Sequence, residues 1–94
     1  MFKQKEFVYL KVGVKRSEEV VFLANLDEEI SIVLQVVKEK QEDSYMNVSF
    51  VSTDELSKKT ATEHVDTFDT YGFSREQVLE IISKEYLIQS GAMK

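Results

Sequence analysis

The chain has 94 residues, of which 43% are hydrophobic and 31% are charged, and it contains no cysteine. This length is that of one domain with one hydrophobic core, and the balanced composition excludes disordered, collagen-like and low-complexity chains. The lack of cysteine excludes disulfide bonds, a thiolate nucleophile and a cysteine-ligated metal centre. The sequence therefore predicts a single globular domain over residues 1–94.

No apolar run of signal-peptide length lies at the N-terminus, and no stretch of about 18 apolar residues occurs, so we expect a cytoplasmic protein without membrane contact. Ten lysines stand against two arginines, with no tryptophan or proline, a bias associated with AT-rich bacteria and their phages. Residues 1–16 carry five basic side chains and one acidic, a net +4 in a chain whose total is −5. The remaining 78 residues therefore sum to −9.

Acidic residues fall in short clusters, most of them at predicted turns. One interpretation is that these charges maintain solubility and protect strand edges. The other is an acidic surface that imitates a phosphate backbone or docks on a basic partner. The sequence leaves both open. The clusters are Glu18-Glu19, Asp27-Glu28-Glu29, Glu42-Asp43, Asp54-Glu55, and Glu63 with Asp66 and Asp69.

Two strands are predicted near the N-terminus. Residues 7–15 alternate with a period of two, which predicts a strand whose core-facing side chains are Val8, Leu10, Val12 and Val14. Residues 15–19 predict a polar turn, and residues 20–24 predict a second, nearly all-apolar strand. A hairpin is the simplest connection between them.

Residues 30–38 fit two interpretations. As a strand they are rich in β-branched residues; as a helix they have an apolar stripe, an N-cap at Asp27 and lysines at the C-terminal end. We favour the strand. Residues 45–51 alternate again and predict a strand that directs Met46, Val48 and Phe50 to the core.

Residues 52–73 predict a long polar loop, with one helical turn at Thr53–Leu56, and long loops of this kind are often functional. A helix follows from Ser74, which forms a capping box with Gln77, while Phe73 and Val78 fit a hydrophobic staple. Its apolar face contains Val78, Leu79, Ile81, Ile82, Tyr86 and Leu87, and Gly91 ends it. The predicted fold is α+β: an antiparallel β-meander of three or four strands with a C-terminal amphipathic helix packed on one face.

Residues with catalytic or metal-binding chemistry are few. The single histidine, His64, lies near Glu63, Asp66 and Asp69, but their spacing matches no known metal loop. One histidine without a Gly-x-Ser-x-Gly motif gives little support to a hydrolytic triad. The glycines at 13, 72 and 91 are too scattered for a phosphate-binding loop. The sequence predicts a protein that is not an enzyme and that holds no cofactor or metal.

The outward face of the first strand is the candidate binding surface. Extending the alternation backward places Lys3, Lys5, Phe7, Tyr9, Lys11, Gly13 and Lys15 on one side. Aromatic rings between lysines are typical of surfaces that bind single-stranded nucleic acid. The favoured interpretation is structural: the lysines protect an edge strand, while the two rings pack under the helix or against a second subunit.

The sequence as a whole predicts a non-enzymatic protein-binding or regulatory module with a protein partner. Small sheets commonly cover an edge by pairing with a second copy, so a homodimer is expected. Two alternatives stay open. One is a single-stranded nucleic-acid binder that uses the first strand. The other is an acidic mimic of nucleic acid that inhibits a host nuclease.

Overall fold

The computed structural model describes residues 2–37, 45–59 and 63–83. It shows an α+β arrangement, a largely antiparallel sheet with one short helix after it, and the sheet has more strands than the three or four predicted. The spatial order is β4-β3-β2-β1-β5, and β6 pairs in parallel with the start of β2. The elements are β1 (Phe7–Gly13), β2 (Arg16–Asn25), β3 (Ile30–Val37), β4 (Tyr45–Ser52), a 3-10 turn (Thr53–Glu55), β5 (Leu56–Ser57), β6 (His64–Asp66), a second 3-10 turn (Asp69–Tyr71) and α1 (Arg75–Ile81).

The ambiguous segment is a strand. β3 lies between β2 and β4, and both neighbours pair with it antiparallel. Val33 and Leu34 are adjacent in sequence and both fully buried, so both faces of this strand are covered. Burial on both faces explains why the segment is a continuous apolar run without clean alternation. β4 confirms the strand predicted at residues 45–51, although Phe50 is exposed and does not enter the core.

The first hairpin is tighter than predicted. β1 ends at Gly13 and β2 begins at Arg16, four residues before the predicted start. Val8 and Leu10 are buried as expected, but Val12 and Val14 are 43% and 88% exposed because the strand ends and the chain turns there. The polar residues that predicted a turn instead extend β2, which pairs with β1 on one side and with β6 on the other.

The segment 52–73, predicted as a loop, contains two short strands. The helical turn expected at its start is confirmed as a 3-10 turn. β5 then pairs with β1 through Tyr9 and Leu10, and the side chain of Leu56 is buried. Strands of two and three residues carry no periodicity to detect, so the sequence pattern does not predict them.

The sheet is curled, because β4 and β5 lie at opposite ends of the strand order yet are only three residues apart in the chain. Five strands laid flat would place these edges about 19 Å apart, whereas the four steps from Ser52 to Leu56 span at most about 14 Å. The concave cluster includes side chains from both edge strands and comprises Val8, Leu10, Val20, Phe22, Val33 and Leu56, with Phe2 and Val51 against it. The convex cluster comprises Val21, Leu23, Leu34, Val36, Phe68, Val78 and Ile82.

The helix begins as the sequence predicts. The Ser74 hydroxyl accepts a hydrogen bond from Gln77 N at 3.1 Å, and Ser74 N donates to Gln77 Oε1 at 2.9 Å, which completes the capping box. Val78 and Ile82 are fully buried in the convex cluster, and Phe73 packs against the same cluster. The predicted positions Tyr86, Leu87 and Gly91 lie outside the described residues.

Among the described residues, no helix has the length and apolar character needed to cross a membrane.

Candidate functional site

The structure places Lys3 and Lys5 in a turn before β1, so they do not continue the alternation of that strand. Glu6 N donates to Lys3 O at 3.0 Å, and Lys5 N donates to Phe22 O at 2.9 Å. Lys5 has a φ of 71°, in the left-handed region that non-glycine residues seldom adopt. The backward extension of the strand pattern is therefore wrong, because the backbone turns at this lysine.

Phe7 is covered within its own chain. Its ring meets the ring of Phe68 edge-on, with centroids 5.7 Å apart, and the Arg75 guanidinium lies 4.8 Å from the centroid of the Phe7 ring. This contact agrees with the interpretation that Phe7 packs beside the helix, and it leaves little of the ring for stacking on a base.

The other members of the candidate face are spread along the hairpin. Tyr9 is half-buried where β1 pairs with β5, and Lys11 is exposed two residues later. Lys15 lies in the hairpin turn, 4.0 Å from a carboxylate oxygen of Glu63. The six candidate side chains therefore lie in three parts of the chain: the turn before β1, β1 itself and the hairpin turn. Their role in binding stays a prediction.

The buried carboxylate of Glu19 lies beside Phe7, and the sequence did not predict that this side chain is buried. The Glu19 side chain is 2% exposed and accepts two hydrogen bonds, from Phe68 N at 3.1 Å and from Arg75 Nη2 at 2.7 Å. In β2, Glu19 alternates with Val21 and Leu23, whose side chains belong to the convex cluster. This alternation is the sequence signal that the Glu19 side chain points to the same face. Because both carboxylate oxygens have partners, we interpret this group as a structural link between β2 and the start of the helix.

A second polar group lies where β2 and β6 pair. Asp66 is buried and accepts from Arg16 Nη2 at 2.8 Å, and its other oxygen lies 3.0 Å from His64 Nε2. Glu18, opposite Asp66 in the register, accepts from Gln35 Nε2 at 3.2 Å. Within the described part of the chain, no group of three or more potential ligands could hold a metal ion. We therefore interpret these side chains as polar pairs that stabilise the fold.

The two carboxylates of this group have opposite pKa shifts. The hydrogen bond from Arg16 lowers the pKa of Asp66, whereas burial raises the pKa of Glu18 and the nearby charge of Asp66 raises it further. Burial also raises the pKa of the Tyr71 hydroxyl. Asp66 therefore contributes stability above pH 3.8 that is lost as the pH falls through its lowered pKa, while ionised Glu18 opposes folding as the pH rises above 4.5.

Glu18→Gln should raise the thermal midpoint at pH 7, because the amide keeps an acceptor for Gln35 and removes the desolvated charge. The gain over the unchanged protein should shrink as the pH falls towards 4.5, the ordinary glutamate value. Thermal melts between these two pH values measure the difference, and exposed Glu28→Gln controls for the loss of one charge. A gain that does not depend on pH would contradict this assignment.

Two acidic clusters meet at one end of the sheet. The β2–β3 loop is held by Asp27, whose Oδ1 accepts from Glu29 N at 2.7 Å and from Ile30 N at 2.8 Å. Thr53 N donates to Glu29 O at 2.8 Å, which joins this loop to the 3-10 turn after β4. The acidic end so formed has five exposed carboxylates: Asp27, Glu28, Glu29, Asp54 and Glu55.

An apolar groove lies within the acidic end. Its volume is about 400 Å³, and its lining residues are Phe2, Asn25, Asp27, Glu28 and Thr53. The Phe2 ring packs against Phe22, with centroids 5.6 Å apart, and neighbouring Leu26 is 58% exposed. Two carboxylates, those of Asp27 and Glu28, therefore line a groove that also has an aromatic wall.

The sequence indicated both acidic clusters but not their meeting. One precedes the start of β3 and the other follows the end of β4, and the antiparallel register pairs Ile30 with Ser52. The pairing of those two strands therefore brings the clusters together.

Comparisons of the chain with family models, with curated proteins and with solved structures find no match.

Proposed function

We propose that this protein is a non-enzymatic protein-binding module whose acidic end docks on a basic segment of a partner protein. The observation that carries this proposal is an apolar groove lined by the exposed carboxylates of Asp27 and Glu28, with three further exposed carboxylates in the two chain segments that meet there. Apolar contact flanked by charge is a common composition for a protein-docking surface, in which the apolar part contributes affinity and the charges contribute rate and specificity.

The acidic end has no ion pairs within the described residues, although Glu55 and Lys11 line one pocket together. None of its five carboxylates forms an ion pair with a described lysine or arginine. Carboxylates grouped in two chain segments that share a backbone hydrogen bond raise the local negative potential and attract a cationic partner. A segment that alternates basic and apolar residues fits this surface, because its apolar side chains match the groove.

The experiment compares two double variants with the same total charge. Glu28→Lys with Asp54→Lys changes the acidic end, and Glu63→Lys with Asp69→Lys changes exposed acids elsewhere; each pair moves the net charge from −5 to −1. In fluorescence anisotropy with a labelled oligolysine peptide, the first pair should raise Kd at least about tenfold, and the second should raise it much less. Equal effects would show only non-specific attraction and would contradict the proposal.

A second probe tests the groove. A peptide with leucines placed between its lysines should bind more tightly than oligolysine, and Phe2→Ser, at the apolar residue that lines the groove, should remove that advantage without changing the charge. A labelled single-stranded oligonucleotide serves as the third probe. If it binds more tightly than both peptides and Lys11→Ala weakens it, the nucleic-acid alternative replaces this proposal.

A further inference from the structure

β4 is an edge strand with an unusual composition. Its eight residues, Tyr45–Ser52, include no charged side chain and no proline, and its outer edge pairs with no other strand in the described part of the chain. Phe50 on this strand is 67% exposed. Edge strands normally carry charges, prolines or bulges that prevent pairing with another chain. β4 has none of these features, so nothing in its sequence prevents it from pairing with another chain.

The register shows which residues offer their backbone groups at this edge. Thr53 N donates to Glu29 O, so residues 29 and 53 form a hydrogen-bonded pair between the chain segments that continue β3 and β4. Bonded and non-bonded pairs alternate along an antiparallel ladder. Val51 and Ser49 therefore bond to β3, while Met46, Val48 and Phe50 direct their N–H and C=O groups to the open edge.

We infer that β4 pairs antiparallel with β4 of a second copy, about a two-fold axis at Val48. In this register Val48 lies opposite the partner's Val48, Met46 opposite the partner's Phe50, and Asn47 opposite the partner's Ser49. Apolar side chains meet apolar ones and polar side chains meet polar ones along the strand. This self-complementary order of residues is what an isologous interface requires.

Electrostatics favour the antiparallel arrangement. Each chain carries a net charge of −5, but β4 contributes none of it, so no like charges oppose each other across the strand pair. The acidic end follows Ser52 directly. Antiparallel pairing places the two copies of Ser52 about 27 Å apart along the strands, at roughly 3.4 Å per residue, which exceeds the Debye length of about 10 Å at 0.1 M salt.

The mass in solution tests the inference. Sedimentation equilibrium at micromolar concentration should give twice the 10.9 kDa chain mass. Phe50→Lys should return the protein to a monomer and raise the dimer dissociation constant about 100-fold or more, because both copies lose an apolar contact. Val14→Lys makes a similar apolar-to-lysine change at an exposed turn position and should leave the dimer unchanged. A monomeric parent protein, or equal effects of both variants, would overturn the inference.

Disulfide crosslinking tests the register, since the chain has no cysteine of its own. Val48→Cys should crosslink to the same residue of the partner, because paired Cα atoms lie about 5.5 Å apart, within the range of a disulfide. Phe50→Cys should crosslink poorly alone, since its two copies lie about 14 Å apart along the strands. It should crosslink well when mixed with Met46→Cys. Preferential crosslinking of Phe50→Cys alone would overturn this register.

This inference goes beyond the proposed function, because it concerns a different surface. Higher salt should weaken oligolysine binding at the acidic end, whereas it should leave the dimer unchanged or strengthen it by screening the net charges. A protein that binds oligolysine at the acidic end but is monomeric contradicts only the dimer. A protein that dimerises through β4 but does not bind oligolysine at the acidic end contradicts only the proposed function.

Discussion

Phe68→Ala should lower the free energy of unfolding by about 3–5 kcal/mol, the range found when a buried phenylalanine is truncated. Phe68 is fully buried in the convex cluster, although it comes from the irregular segment between β6 and α1. Its carbonyl oxygen accepts hydrogen bonds from Tyr71 N and Phe73 N, both at 3.0 Å, so the same residue organises the turn that leads into the helix. Urea unfolding followed by circular dichroism measures the loss.

Val14→Ala is the control, since it truncates an apolar side chain that is 88% exposed and lies outside the proposed dimer interface. Substitutions at exposed positions usually change stability by less than about 0.5 kcal/mol. Both variants are unfolded at two protein concentrations, because a contribution from association would depend on concentration. If Phe68→Ala costs no more than Val14→Ala, Phe68 does not anchor this segment to the sheet.

The elements of this fold that the sequence predicted correctly are those whose residue pattern lies within one short stretch of the chain. Strand periodicity identified the core of β1 at Val8 and Leu10, and the capping box identified the start of the helix at Ser74. The start of β2 was missed because Arg16 and Glu19 looked like turn residues. Their partners, Asp66 and Arg75, lie about fifty residues away in the chain, and no local window contains that information.

The candidate site was predictable in its composition but not in its assembly. Each acidic cluster is visible in the sequence, and the β3–β4 register that joins them becomes available only once both strands are assigned. The backward extension of the basic face was wrong for a different reason. Its alternation was extended through Lys5, where the backbone takes a positive φ that a lysine gives no reason to expect. Phe7 then packs on Arg75, a contact across 68 positions of sequence.

Glu19→Ala should have the second largest effect, a loss of about 2–4 kcal/mol. The main reason is Phe68 N–H, which would stay buried without an acceptor at a cost of about 1–3 kcal/mol. The ion pair with Arg75 adds less than a fully buried pair would, because the Arg75 side chain is 62% exposed and returns to water when its partner is removed. Urea unfolding at pH 7 measures the change.

Three further variants separate these contributions. Glu19→Gln keeps an acceptor for Phe68 N–H and should cost only about 1 kcal/mol, the net value of a typical hydrogen bond. Arg75→Ala removes the cation over the Phe7 ring and leaves the buried Glu19 carboxylate without its ion-pair partner, so it should cost more than Glu19→Gln, about 2–4 kcal/mol. Glu63→Ala, at a carboxylate 76% exposed and 4.0 Å from Lys15, should cost almost nothing. If Glu19→Gln proves as damaging as Glu19→Ala, the stabilisation comes from the ion pair, and the bond to the Phe68 backbone contributes little.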